Sequence, residues 1–191
     1  LVAGGSSNSG ALFSAELYAP TVDYWSVTGS LATARTAHSA TLLGNGKLMV
    51  AGGVDGSGTL ITGAELYDPV ASLWSPAGNL ATARENHSAT LLANGKVLVA
   101  GGSDNNVNAF ASSELYDPVA NTWSPAGNLV TARYYHSATF LANGKVLVVG
   151  GAAQGTNAFT SVELFDPTTN AWHAAGSLNA PRSNHSATLL A

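Results

Sequence analysis

Short apolar runs, each closed by glycine, asparagine or proline, recur along the chain, and none carries a helical period. One stretch shows the pattern. His87–Leu92 is a short β-leaning run, and Asn94-Gly95 behind it predicts a type I′ hairpin turn, because both residue types tolerate positive φ. Val97–Ala100 is continuously apolar and reads as a strand buried on both faces. Gly101-Gly102 ends it, where the backbone bends or approaches a neighbour closely. A polar loop from Ser103 to Ser112 leads to Glu114-Leu115-Tyr116, which Asp117-Pro118 stops with turn chemistry. Asn121–Ser124 supplies a short fourth strand. The unit is four antiparallel strands.

That unit repeats every 49 residues. Trp25, Trp74, Trp123 and Trp172 keep this spacing, as do Glu16, Glu65, Glu114 and Glu163. So do Arg35, Arg84, Arg133 and Arg182, and His38, His87, His136 and His185. A fixed period of this size marks a repeat architecture, and a radial ring of four-stranded sheets is a β-propeller. The expected class is therefore all-β, with one domain over residues 1–191.

Composition narrows the partners. Only 9% of the 191 residues are charged, against about 25% in ordinary domains, and the net charge is −4. The seven basic residues are the four repeat arginines plus Lys47, Lys96 and Lys145 in turns, so no basic patch remains for nucleic acid. No apolar run is long enough to insert across a bilayer. Without cysteine there are no disulfides or thiolate metal sites. Abundant Gly, Ser, Thr, Asn and Ala suit an exported bacterial protein, extracellular or on the cell surface. The chain opens at Leu1 within a strand, which suggests a preceding segment removed or not included.

The Gly-Gly doublet, the Glu-Leu-Tyr-Asp-Pro run, the tryptophan beyond it and Arg-x-x-His together resemble the kelch repeat, in four copies over the whole chain. The resemblance implies that the His-motif strand is innermost in each blade, followed by the Gly-Gly strand, the Tyr strand and the Trp strand. Departures are few: Ala19 stands where the other repeats have Asp68, Asp117 and Asp166, Phe165 replaces the tyrosine, and the loop from Gly5 to Glu16 is one residue shorter. Residues 1–34 lack an inner strand, and residues 185–191 match one. Kelch rings close by such pairing, so a four-bladed ring closed by the N- and C-terminal strands is expected, with a piece of a larger propeller as the rival. An incomplete ring would make self-association possible.

The repeat assigns most chemically interesting side chains to the scaffold. Each Arg is expected to pair with a Glu, each His to satisfy buried backbone near the axis, and each Trp to pack between blades. Four histidines converging on the axis could suit a metal, but no carboxylate accompanies them, so neither metal nor cofactor is expected. Asp55 and Asp104 follow their Gly-Gly doublets, and Asp104-Asn105-Asn106 is suggestive of calcium without matching a known loop. No serine is set beside a base and no two carboxylates share a short element, so no catalytic residues are assigned. Kelch-type enzymes resembling galactose oxidase need a Tyr–Cys cross-link that this chain cannot make, and those resembling sialic acid mutarotases need channel arginines beyond the repeat set.

The resemblance places two loops per blade on the ligand face: one after Gly-Gly and one between the repeat Arg and His. Positions there vary while their surroundings repeat, as on a rigid frame with a variable surface. The candidate ligand-binding residues are Asp55, Glu85, Asn86, Asp104, Tyr134, Tyr135, Ser183 and Asn184, with the adjacent tyrosines as anchor. The expected function is a non-catalytic module binding a protein or a glycan. The alternative is a carbohydrate-active enzyme using the channel.

Overall fold

The computed structural model describes residues 1–105, 107–155 and 157–190. Among them there is no α-helix, and the strands form successive antiparallel blades. The second blade runs Ser39–Leu42, Leu48–Ala51, Gly63–Asp68 and Leu73–Asn79 from inside to outside. The third is Ser88–Leu91, Val97–Ala100, Ser113–Asp117 and Thr122–Ala126. The fourth is Ser137–Phe140, Val146–Val149, Val162–Asp166 and Ala171–Ala174. The first has three strands, Val2–Ala3, Ala15–Ala19 and Tyr24–Val27. Inner strands of the second, third and fourth blades are neighbours in space, as radial packing requires.

The core lies between blades rather than within them. Val97 and Val99 pack with Met49, Ala51 and Leu80 on one side, while Leu98 and Ala100 pack with Val146, Val148 and Phe165 on the other. Alternation of side chains across a strand therefore explains the unbroken apolar run: each face meets a different neighbouring blade.

One turn differs from expectation. Gly95 has φ +81°, but Asn94 is not in the positive region, so the turn is not type I′. Gly95 N donates to Leu92 O, Leu92 N donates to Lys96 O, and Asn94 Oδ1 accepts from Lys96 N. This is a wider hairpin with glycine at the left-handed position, and the asparagine side chain caps the turn instead of supplying φ. Lys96 then reaches Asp117 at 3.1 Å, a pair repeated by Lys47–Asp68 and Lys145–Asp166.

The pairing expected to close the ring is not formed. Val2 and Ala3 pair with Glu16 and Ala15, residues 185–190 lie in no strand, and Ala191 lies outside the described residues. The C-terminal segment is held elsewhere. Gly151 N donates to Arg182 O and Asn184 N to Tyr135 O, each at 2.9 Å, and His185 Nε2 meets Ser137 Oγ at 2.9 Å. The same bonds join the second blade to the third and the third to the fourth, so this segment stands where a following blade's inner strand would stand.

Candidate ligand face at the inner ends of the blades

Each connector between blades carries Arg-x-x-His, and its clamp sets the geometry of the face. Arg84 Nη2 lies 2.9 Å from Glu114 Oε1, and its Nη1 donates to Gly101 O and Ser112 O. Glu114 accepts in turn from Ala81 N and Thr82 N of the connector. Arg35–Glu65 and Arg133–Glu163 repeat the arrangement at 2.7 Å. Every charge is thus buried with several hydrogen bonds, the condition under which a buried ion pair is tolerated. The glycine doublet makes room for the connector: a Cβ on Gly52 would stand 2.6 Å from Arg84 O and 2.9 Å from His87 Cε1.

The histidine follows. His87 Nε2 meets Ser39 Oγ of the preceding blade at 2.8 Å, and His136 meets Ser88 in the same way at 2.9 Å. This side-chain hydroxyl stands beside the backbone partner that was expected, since His87 also bonds to the backbone of Ala51. Burial, then the charge of the neighbouring arginine, pushes His87 and His136 down to about 3, so both rings are neutral. No group of three or more His, Asp or Glu among the described residues could hold a metal.

Between Arg and His, one residue per connector turns into the left-handed region: Ala37 at φ +54°, Asn86 at +54°, Tyr135 at +54° and Asn184 at +52°. Their backbones form a chain from blade to blade. Asn86 N donates to Ala37 O, Tyr135 N to Asn86 O, and Asn184 N to Tyr135 O, at 3.1, 3.3 and 2.9 Å. These four residues and the four histidines line a recess of about 400 Å³ at the inner ends of the blades.

Fold, motif spacing and connector geometry agree with one known pattern. The Kelch motif matches residues 35–81, 86–129 and 132–179. The chain belongs to the kelch-repeat family. No curated protein matches it. Among solved structures it is similar to one titled "Structure of YjhT", with a TM-score of 0.82 at 14% identity, covering 95% of this chain and 68% of that one. At that identity the likeness speaks for the propeller fold.

Within this kelch frame the candidate residues separate into groups. Asn86, Tyr135 and Asn184 meet at the recess, while Ser183 is half-buried and does not line it. Tyr134 is 9% exposed and pairs through its backbone with Ala152, while its ring stands edge-on to Tyr135 with centroids 5.0 Å apart. Glu85 is buried and pairs by backbone with Ser103. Burial, with the negative charge of Glu85, holds the Tyr135 phenol above its ordinary range, so it is a neutral donor. Asp55 and Asp104 serve their own loops. Asp55 accepts from Ser57 N, Ser57 Oγ and Thr59 N, and Asp104 from Asn108 N and Nδ2. Those hydrogen bonds, the side-chain bond first, hold both carboxyls below the usual range. Asn106 lies outside the described residues, so the Asp104-Asn105-Asn106 cluster is not described as a whole. Sequence reasoning gave the histidines to the scaffold and missed that they also line the recess. Their position beside the variable residue was the available signal.

Proposed function

We propose that this chain is a non-catalytic binding module whose ligand, a protein or a carbohydrate, docks at the recess lined by Asn86, Tyr135 and Asn184. The observation that carries the reading is the conformation of Tyr135. A bulky residue at positive φ costs about 1 kcal/mol where asparagine or glycine would cost less. Its backbone serves the blade-to-blade chain whatever its side chain, so the scaffold does not require a tyrosine. An aromatic ring with a neutral hydroxyl, flanked by two amides, suits a sugar ring or the polar side chains of a peptide. Glycan and peptide arrays supply the ligand. Tyr135→Ser and Asn184→Ala should each weaken binding at least tenfold, about 1.4 kcal/mol, with the fold retained. Binding unchanged in both variants would place the ligand elsewhere. Turnover of an arrayed carbohydrate would favour the enzyme reading.

A further inference from the structure

A cleft of about 310 Å³ lies between the outer two strands of the third blade and the connector that enters it, and one of about 300 Å³ occupies the equivalent place on the second blade. Their linings repeat. Ser75-Pro76 and Ser124-Pro125 stand beside the half-buried Trp74 and Trp123, with Glu65 or Glu114 in each. Asn79 lines both clefts and so joins them into one groove. No residue of this groove lines the recess at the inner ends of the blades.

The groove carries no unpaired charge. Glu114 is bound by Arg84 through Oε1 and by Ala81 N through Oε2, and Glu65 by Arg35 and Ala32 N in the same way. An ionic ligand would lose its hydration without gaining a counter-charge. What the groove offers is neutral, polar and aromatic. Asn79 and Asn128 are exposed, and Ser112 Oγ, which accepts from Arg84 Nη2, keeps its own proton to donate. Tyr116 stacks on Trp123, yet the indole is only half-buried and part of it lines the cleft. An added peptide strand is disfavoured, because Pro76 and Pro125 remove donors from the outer edge strands. The fourth copy shows that the scaffold does not require these groups: Val130, Ala174 and Ser177 stand for Ala81, Pro125 and Asn128, and Trp172 is buried.

We propose that this groove binds a neutral polysaccharide, with sugar rings against Trp74 and Trp123 and sugar hydroxyls bonded to Asn79, Asn128 and Ser112. Indole surface meets the C–H face of a sugar ring, and amides and hydroxyls meet its O–H edge. Each cleft alone is at the small end of the range for ligand pockets, about 300–1,000 Å³, and suits a short stretch of glycan. Their junction at Asn79 favours a chain that fills both, because the second contact is then intramolecular. The groove is separate from the recess, and this inference does not depend on the ligand reading given there.

The test is affinity electrophoresis of the 191-residue chain in gels containing neutral glucan, xylan or mannan. At least one should retard it, and a hexasaccharide of that glycan should compete at least tenfold better than the disaccharide. Asn79→Ser installs the residue that Ser30 and Ser177 already supply at this position, and A81V/N128S installs those of the fourth copy, so both variants keep the fold. Each should weaken retardation at least tenfold, while Tyr135→Ser leaves it unchanged. No retardation by any of the three, or retardation by an acidic polysaccharide only, would overturn the proposal. So would a loss in Tyr135→Ser with none in the groove variants, which returns the ligand to the recess. Peptide-array binding lost in the groove variants, without glycan retardation, would overturn it in favour of a peptide.

Discussion

Arg84 and Glu114 form an ion pair at 2.9 Å that fastens the connector from the second blade onto the third, with both side chains nearly inaccessible. Glu114→Gln keeps the shape and removes the charge, leaving a buried guanidinium uncompensated. The expected cost is about 3–5 kcal/mol in denaturant unfolding. Glu16→Gln, at the equivalent but exposed position, should stay within about 0.5 kcal/mol at low protein concentration. Similar losses in both would remove the connector clamp as a source of stability.

Tryptophans of the same repeat position should likewise differ. Trp123 stacks on Tyr116 at 5.1 Å and donates its indole N–H to Ala77 O across the blade boundary. Trp123→Ala should cost about 3 kcal/mol. Trp25 stacks on Tyr18 at 5.1 Å, but 46% of its surface is exposed. Its replacement should cost about 1 kcal/mol or less in the monomer. Equal shifts in melting temperature would contradict the inter-blade role.

Tyr135 should be replaceable with a gain in stability. Tyr135→Asn places at φ +54° a residue that two neighbouring connectors already use there. The expected gain is about 0.5–1 kcal/mol, read from the urea midpoint, with loss of ligand binding. A destabilised variant would show that the ring is held by packing and is not spare for a ligand.

Acid should loosen the fold before the carboxylates titrate. Burial keeps His87 and His136 neutral down to about 3, whereas unfolded histidines protonate near 6.5. Between those values the unfolded chain binds more protons, so stability rises with pH and is lost as pH falls below about 6.5. The slope from these two groups approaches about 2.7 kcal/mol per pH unit. Unfolding midpoints at pH 7.5 and pH 5 test this, and a flat profile would refute it.

Much of this architecture was legible because repetition exposes function-free positions. The 49-residue period and the Arg–Glu partnership follow from residues whose roles recur identically, so local chemistry repeated in sequence becomes the same contact repeated in space, while the strand order came from the resemblance to the kelch repeat. The glycine doublet was readable for a similar reason, since a close approach tolerates no side chain. Three features needed the tertiary structure. Tyr134 and Tyr135 are adjacent in sequence, yet the left-handed turn at Tyr135 sends one ring into packing and the other to the recess. Asp55 and Asp104 looked available, but backbone donors within their own loops engage them. Pairing of residues 185–191 with the N-terminal strand was plausible from pattern alone. Whether two matching strands meet depends on the angle each blade turns through, and that is set by side-chain packing between sheets, to which a repeat motif is indifferent.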